Sequence, residues 1–240
     1  MRYIDGVDLI KGGILAMTEM TKYFILGFSA LVPLINPPGS ALELLSIVGL
    51  ANTAPYKTLA KKISINMFLF RAVAGLAGPY VLGFFGISLE ILQLMGGSVL
   101  VAMGWAMLNK QEAKQESNEP GIRQAAEACA ANYWDSKAFY PLTFPITAGP
   151  GSLTVLLTLS GSAKALALTC RLFAFAGLFL SLVLMSILVY VFYAYAPNAA
   201  KWIPAGAVQG VMRIIAFLLL CIGGQIAWHG LQSLLKSMHT

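Results

Sequence analysis

The residue types that could do chemistry are concentrated in two copies of a Pro-Gly-Ser phrase, each inside an apolar stretch of the chain. These copies and their small or polar neighbours are Asn36, Pro38, Gly39 and Ser40 in the first copy and Thr147, Gly149, Pro150, Gly151 and Ser152 in the second. Pro and Gly together break a helix that the flanking apolar residues favour. A broken helix in apolar surroundings frees backbone N–H and C=O groups, which are costly unless they bind something.

The freed backbone groups predict a small zwitterionic ligand. The N-terminal end of a half-helix offers N–H groups and a positive dipole end to a carboxylate, and a C-terminal end offers carbonyl oxygens to an ammonium group or a cation. Two breaks that face each other present both kinds of end, which suits an amino acid. The lining residue types are small, so the substrate should be small. We predict that all the residues named above surround it.

Two ionisable side chains in the apolar stretches each allow two interpretations. Glu43 follows Ser40 by three residues, so the pair forms a capping-box pattern that would close the second half-helix. Alternatively, Glu43 meets a substrate ammonium group or carries a coupling proton, and the second copy has Val155 at this position. Arg71 lies nine residues after Lys62, which favours a side chain that snorkels to the membrane surface over a role in a substrate pathway.

The elements that must position these residues are membrane helices. Of the 240 residues, 58% are hydrophobic and 11% are charged, whereas roughly a quarter of the residues of a soluble domain are charged. The apolar residues form long blocks without a period of two, which favours helices over a barrel of strands. The sequence therefore predicts an all-α integral membrane protein in a lipid bilayer.

The composition argues against several other functions. The formal net charge is +6, but the basic residues are scattered between apolar blocks, so no nucleic-acid partner is predicted. The three cysteines lack metal-ligand spacing and the two histidines lie near the end of the chain, so neither a metal site nor a cofactor is expected. No base is placed near Ser40 or Ser152, so the chain is not expected to be an enzyme. A coupling proton or Na⁺ stays open, as does the oligomeric state.

Polar segments divide the chain into two halves of three membrane spans each. The predicted bounds are an N-terminal tail or interfacial segment at 1–22, a first three-helix repeat at 23–108 with a polar link at 52–62, a polar loop at 109–137, a second three-helix repeat at 138–235 and a tail at 236–240. The breaks make the first and fourth of the six spans discontinuous. Because each half has an odd number of crossings, the second half starts on the opposite side, and the repeats are predicted to be inverted.

Internal similarity supports this arrangement. An offset of 112 residues aligns the two Pro-Gly-Ser phrases, and a pseudo-two-fold axis in the membrane plane would bring them together near the midplane. The third and sixth spans are also similar, with apolar runs that end at Trp105 and Trp228. The glycines at 96, 97 and 104 predict a close helix contact for the third span.

Four motifs carry a resemblance to a known family. They are the Asn-Pro-x-Gly break at 36–39, the link TAPYKTLAKK at 53–62, the FGIS turn at 85–88 before LEILQLMGGSVLVAMGWAML, and PLTFPITAGPGS at 141–152. Together they resemble the MarC family, also known as UPF0056 or the six-span neutral amino acid transporter family. The resemblance extends from about residue 23 to residue 235.

The resemblance implies a bacterial inner-membrane protein of six helices in two inverted three-helix repeats. It also implies transport of glycine, alanine and other small neutral amino acids coupled to protons or sodium, as associated with archaeal relatives. The acid at Glu43 departs from what we expect of the family at this position. This departure leaves the identity of the substrate open.

The leading hypothesis is a secondary transporter of small neutral amino acids that works by alternating access. One competing hypothesis is an exporter or permease for another small solute. The other is a membrane scaffold without transport, for which the charged loop at 109–137 is the candidate recruiting surface. The distribution of Lys and Arg between the links favours an orientation with both termini outside the cytoplasm.

Overall fold

The computed structural model describes residues 2–48, 53–109, 138–199 and 205–238, and the regular structure in these ranges is helical. The elements are α1 (Arg2–Ile35), α2 (Pro37–Val48), α3 (Thr53–Phe84), α4 (Leu89–Asn109), an irregular segment (Ala138–Thr147), α5 (Pro150–Lys164), α6 (Leu168–Ala199) and α7 (Ala205–Met238). The predicted polar loop lies outside the described residues apart from its first residue. The prediction of an all-helical protein is confirmed for the ranges above.

Five largely helical stretches are long and apolar enough to cross a membrane. They are Gly12–Leu42, Lys57–Phe84, Leu89–Asn109, Leu168–Asn198 and Gly210–Ser237. Each has at least 21 residues, and an α-helix needs about 20 to cross a hydrocarbon core of about 30 Å. The predicted fourth span is divided between the irregular segment of 10 residues and α5 of 15 residues. The membrane character predicted from the composition is therefore confirmed.

Two predicted boundaries differ from the helix ends. The segment predicted as a polar link at 52–62 is helical from Thr53, because α3 begins there and includes the lysines of this segment. Lysine side chains tolerate this position because their long apolar stems can lie along a helix while the ammonium groups reach water. α1 is likewise continuous through residue 22, where the N-terminal tail was expected to end.

Helices α4 and α7 pack backbone to backbone through glycines. A Cβ atom on Gly97 would lie 2.6 Å from the carbonyl oxygen of Gly223, and one on Gly104 would lie 2.8 Å from the carbonyl oxygen of Ala216. Neither distance leaves room for a side chain, so the close contact predicted for the third span is confirmed. The two helices are antiparallel, because higher residue numbers in α4 meet lower numbers in α7.

The contacts between α4 and α7 repeat when the two helices are exchanged. A Cβ atom on Gly230 would lie 2.7 Å from the carbonyl oxygen of Glu90. Gly230 lies 126 residues after Gly104, and Glu90 lies 126 residues before Ala216. The contact of Gly230 with Glu90 is therefore the contact of Gly104 with Ala216 with the two helices exchanged. The predicted alignment of the tryptophans in these spans has an offset of 123 residues and is therefore out of this register by three.

Helices α1 and α6 run in the same direction. A Cβ atom on Gly177 of α6 would lie 3.0 Å from the backbone nitrogen of Phe24 in α1. Further along both helices, a Cβ atom on Gly27 would lie 2.6 Å from the hydroxyl oxygen of Ser181. Residue numbers thus rise together along this contact.

Helix α5 runs in the same direction as α3. A Cβ atom on Gly75 would lie 3.5 Å from the side chain of Leu156. Further along, the Nζ atom of Lys164 lies 3.8 Å from the ring centroid of Tyr80. Residue numbers again rise together, so α5 lies along α3 as a parallel neighbour.

The largest buried apolar cluster lies where the ends of the two breaks meet α3 and α6. Its members close to the breaks are Ile35, Ala41, Leu44, Leu142, Ala148, Leu156 and Tyr193. Close packing in this cluster holds the short elements α2 and α5 against the longer helices, because van der Waals contact is what joins helices in lipid. The cluster therefore encloses both breaks in one region of the core.

Candidate functional site

The first break is one residue wide. Helix α1 ends at Ile35 and α2 begins at Pro37, and between them Asn36 has a φ of 45°. Non-glycine residues rarely adopt a positive φ, and Asn is among those that tolerate it best. A proline also disfavours a helical conformation of the residue before it, so the sequence itself ends α1 at this position.

The first break satisfies its own hydrogen-bonding groups. Asn36 is the N-cap of α2, since its Oδ1 accepts a hydrogen bond from the N–H of Gly39 at 3.1 Å. The two prolines between them have no N–H, which suits the first turn of a helix. The hydroxyl of Ser40 donates to the C=O of Ile35 at 2.6 Å, and the N–H of Ser40 donates to the C=O of Asn36 at 2.9 Å. The start of α2 is therefore capped from within.

Met212 of α7 covers the first break. The Nδ2 of Asn36 donates to the sulfur of Met212 at 3.1 Å, and a thioether is a weak acceptor. A Cβ atom on Gly39 would lie 2.6 Å from the same sulfur and would overlap the amide of Asn36. A side chain at position 39 would therefore displace the capping amide of Asn36 or the side chain of Met212.

The capping-box prediction for Ser40 and Glu43 is wrong for the serine. Helix α2 begins three residues before Ser40, and the serine hydroxyl donates to a carbonyl group instead of accepting from a backbone N–H. Asn36 takes the capping position because it directly precedes the prolines of the first turn. Glu43 lies in α2, but its side chain is outside the described part of the structure, so its coupling role stays a prediction.

The second break is longer than the first. The irregular segment contains two extended residues, Tyr140 (φ −121°, ψ 125°) and Phe144 (φ −122°, ψ 129°). They directly precede Pro141 and Pro145, and a proline ring pushes the residue before it away from the helical conformation. The repeated aromatic-proline pair thus prevents a regular helix before the second Pro-Gly-Ser phrase.

Side-chain hydroxyls satisfy the carbonyl groups that the second break releases. Thr143 donates to the C=O of Ala138 at 2.6 Å, and Thr147 donates to the C=O of Leu142 at 2.7 Å. The hydroxyl of Tyr193 in α6 lies 2.8 Å from that of Thr147. Thr147 has one hydroxyl hydrogen and gives it to Leu142, so Tyr193 is the donor of this bond.

A buried arginine joins the second break to α3. Arg71 is 0% exposed. Its Nη2 donates to the C=O of Thr147 at 2.8 Å and to the hydroxyl of Ser152 at 3.1 Å. Ser152 in turn donates to the C=O of Gly149 at 2.8 Å. One guanidinium nitrogen thus holds both sides of the gap between the irregular segment and α5.

The prediction that Arg71 snorkels to the membrane surface is wrong. The apolar stretch of α3 is Lys57–Phe84, so Arg71 lies 14 residues from one end and 13 from the other. At 1.5 Å per residue these separations are about 20 Å, which is beyond the reach of an arginine side chain. The predicted link at 52–62 places the start of the span after residue 62, whereas α3 begins at Thr53. Arg71 therefore lies nearer the centre of the helix than the prediction implies.

Arg71 retains donors that no described residue accepts from. In the described residues its Nε and Nη1 have no hydrogen-bond partner. A guanidinium group has five N–H donors, of which Nη2 carries two, so three remain on Nε and Nη1. Beside it, α5 begins with Gly149 as N-cap, and no side chain of the described residues caps this helix by a hydrogen bond. The N-terminal end of α5 adds partial positive charge at the same place.

The structure brings the two breaks into contact. A Cβ atom on Gly151 would lie 3.2 Å from the Cδ2 atom of Leu34, one residue before the end of α1. Of the predicted site residues, those that are buried are Asn36, Gly39, Ser40, Thr147, Gly151 and Ser152, and those that are half-buried are Pro38 and Gly149. Pro150 is the first residue of α5. The second break is bonded to Arg71 in addition to the bonds of its own hydroxyl groups, whereas the first is bonded to Met212 and within the break itself.

Three residues that contact the breaks were not predicted as site residues. Arg71 had an available signal, because it is a lone charge near the centre of an apolar span, where ionisable residues are costly and usually functional. Tyr193 is one of nine tyrosines and Met212 is one of ten methionines. Neither their type nor their spacing distinguishes them from residues of the ordinary helix core.

The donor set around the breaks is suited to an anionic group. In the ranges that the structure describes, no group of three or more His, Cys, Asp or Glu residues comes together. Two surface grooves, of about 320 and 500 Å³, are lined by residues outside the breaks. The second break instead offers N–H donors and positive charge, for which a carboxylate is a complementary partner.

The chain is similar to inner-membrane proteins of bacteria. Residues 21–235 match the MarC family of integral membrane proteins. Proteins named UPF0056 inner membrane protein MarC are 28% identical in Salmonella paratyphi B, 27% in Citrobacter koseri and 26% in Escherichia coli O139:H28, and each match covers 93% of this chain and 100% of the relative. No solved structure matches the chain. With its apolar helices, it is a multi-pass inner-membrane protein. It belongs to the MarC family.

Proposed function

We propose that this protein is a secondary transporter of small neutral amino acids, such as glycine and alanine, that works by alternating access. The observation that carries this proposal is that two matched helix breaks meet in one buried region, with the buried cation of Arg71 bonded to the second break. Irregular backbone and charge at membrane depth are costly, and they are retained mainly where they serve binding or transport. The substrate site in this proposal lies between the breaks.

The helix directions support six membrane crossings. Helix α6 is parallel to α1, and α7 is antiparallel to α4. If successive crossings alternate in direction, this combination needs one further crossing between α4 and α6. The irregular segment and α5 are the part of the chain available for it, and α5 runs parallel to α3 as expected for the fourth of six crossings.

Three crossings in each half favour an inverted repeat. The exchangeable contacts of α4 and α7, at an offset of 126 residues, support this arrangement because these helices are the third crossings of the two halves. Inverted repeats suit alternating access, since one repeat or bundle can move against the other around a site between them. In the proposed orientation both termini lie outside the cytoplasm, and the coupling ion is a proton or Na⁺.

The proposal is tested with purified full-length protein in liposomes. Uptake of labelled glycine, alanine and serine is measured with an imposed proton gradient, with an imposed sodium gradient and with neither. We expect accumulation of at least one of these amino acids that depends on one of the gradients. Protein-free liposomes give the background leak.

Absence of transport of all three amino acids, both into and out of the liposomes, would contradict the proposal. The buried Arg71 then favours a second candidate, an exporter or permease for another small solute that carries an anionic group. Transport of such a solute in the same liposomes, without transport of amino acids, is the result expected for that candidate. A membrane scaffold would transport neither.

A further inference from the structure

We propose that Arg71 and the N-terminal end of α5 form the binding site for the carboxylate group of the transported substrate. This inference rests on the proposed transport function and specifies which of the two breaks binds the carboxylate end of the substrate. It assigns the carboxylate to the second break. The substrate ammonium group then lies away from Arg71, because like charges repel.

The unpartnered atoms of Arg71 provide the first line of support. Arginine stays ionised in proteins, and a buried cation is strongly unfavourable unless a counter-charge or further hydrogen bonds compensate it. In the described residues, Nη2 has two partners, whereas Nε and Nη1 have none. A carboxylate can accept from these atoms while Nη2 keeps its bonds to Thr147 and Ser152, and such charge-assisted bonds are the strong ones.

The start of α5 provides independent support. Its N-cap, Gly149, has no side chain to occupy the first turn, and the helix has 15 residues, enough to present the positive end of its dipole. Ser152 lies in this first turn and accepts a hydrogen bond from Arg71. The helix end and the guanidinium group therefore favour a negative charge at one place.

The first break cannot offer the same site. The side chain of Asn36 accepts from the N–H of Gly39, and Ser40 donates to the C=O of Ile35. The two prolines of its first turn have no N–H. Its capping groups are thus occupied by each other, and the described residues bonded to it include no charged side chain.

Competition with wild-type protein tests the proposal without any substitution. Labelled alanine is taken up by liposomes in the presence of a hundredfold excess of unlabelled alanine or of alaninamide, which lacks the carboxylate but keeps the ammonium group and the methyl group. We expect alanine to suppress the labelled uptake and alaninamide to leave most of it. Equal suppression by the two compounds would overturn the proposal.

Substitution of Arg71 provides the second arm. We expect Arg71→Gln to raise the half-saturation concentration for alanine by about tenfold to a hundredfold, the effect of losing a hydrogen bond to a charged group. Arg71→Lys keeps the charge and should raise it less. Lys61→Gln is the matched control, because it removes an exposed cation from the same helix about 15 Å away. An unchanged half-saturation concentration in folded Arg71→Gln would also overturn the proposal.

A binding measurement separates this inference from the transport function. The midpoint of thermal unfolding of the purified protein is recorded with acetate and with acetamide, which differ in the carboxylate. If the wild type takes up no amino acid but acetate raises the midpoint and acetamide does not, the transport proposal fails and the carboxylate site stands, provided that Arg71→Gln loses the rise. If neither compound changes the midpoint and alaninamide competes like alanine, the carboxylate site fails while transport stands.

Discussion

The two Pro-Gly-Ser breaks share a motif but are closed by different groups. At the first, the hydroxyl of Ser40 reaches back five residues to the C=O of Ile35 at 2.6 Å. At the second, the equivalent carbonyl, 112 residues later, belongs to Thr147 and accepts from Arg71 at 2.8 Å. Ser152, the equivalent serine, accepts from the same guanidinium nitrogen at 3.1 Å. The bond that a serine of the same break makes at the first break is thus made at the second by an arginine from another helix.

This difference shows that one sequence motif can break a helix at two places without giving the two breaks the same chemistry. The first break has a side-chain cap, Asn36, and it needs neighbouring helices mainly for cover. The second has Gly149 at the cap position, and besides the bonds of its own hydroxyl groups it is bonded by Arg71 of α3 and Tyr193 of α6. The first break thus serves packing, and the second brings together the charge of Arg71 and N–H donors that no described residue bonds.

The largest contrast is expected between alanine substitutions of the two glycines. Gly39→Ala should lower the free energy of unfolding by about 2–4 kcal/mol, because its Cβ would overlap the capping amide and approach Met212. Gly151→Ala should cost about 1–2 kcal/mol, because its Cβ meets the ends of the Leu34 and Leu100 side chains, which can shift. Thermal and denaturant unfolding in detergent measures both. Equal losses of unfolding free energy in the two variants would show that the side-chain cap of the first break makes no difference to the cost of the added methyl group.

Two substitutions of Asn36 separate backbone strain from capping. Asn36→Ala should cost about 2–3 kcal/mol, because alanine neither tolerates the positive φ nor accepts the bond from Gly39. Asn36→Gly should cost about 1 kcal/mol or less, because glycine adopts this φ freely and loses the cap only. The same unfolding measurements apply. A glycine variant as unstable as the alanine variant would show that φ at this position is not the cause.

A smaller effect is expected at the bond that ties the second break to α6. Tyr193→Phe should cost about 1 kcal/mol, because Thr147 loses its donor in a buried place. In a Thr147→Val background the same change should cost clearly less, since the partner is already absent. A double-mutant cycle measures this coupling. Additive losses would mean that the two hydroxyls do not interact.

The smallest effect is expected at Met212, which packs over the first break. Met212→Leu should change the free energy of unfolding by less than about 1 kcal/mol, because it keeps the apolar volume and removes only a weak sulfur acceptor. The unfolding midpoint measures it directly. A loss as large as that of Asn36→Ala would show that the first break is not closed from within.

The elements could be predicted from the sequence wherever one local rule decides them. Long apolar runs predict the spans, Pro and Gly predict the breaks, and the glycines of α4 predict a close helix contact, whose partner in the structure is α7. The start of α3 was missed because its lysines resemble a link, although lysines are tolerated at the end of a membrane helix. The pattern S-x-x-E predicts a cap at Ser40, whereas Asn36 directly before two prolines provides it.

The candidate site could be predicted only in part because its contacts come from helices distant in sequence. Arg71 lies 81 residues from Ser152, and no spacing rule connects them. A charge near the centre of a span does indicate function, but its partner depends on α5 lying along α3. That packing depends on the shape of the whole core, which local patterns do not determine.

The most direct test of the difference between the breaks compares the two equivalent serines in transport. Half-saturation concentrations for labelled alanine are measured in liposomes with Ser40→Ala and with Ser152→Ala. Ser152→Ala should raise the value by about tenfold, because it removes a bond that orients Arg71. Ser40→Ala should raise it by less than about threefold, because its hydroxyl serves the backbone of its own break. A rise with Ser40→Ala that equals or exceeds the rise with Ser152→Ala would contradict a carboxylate site at the second break.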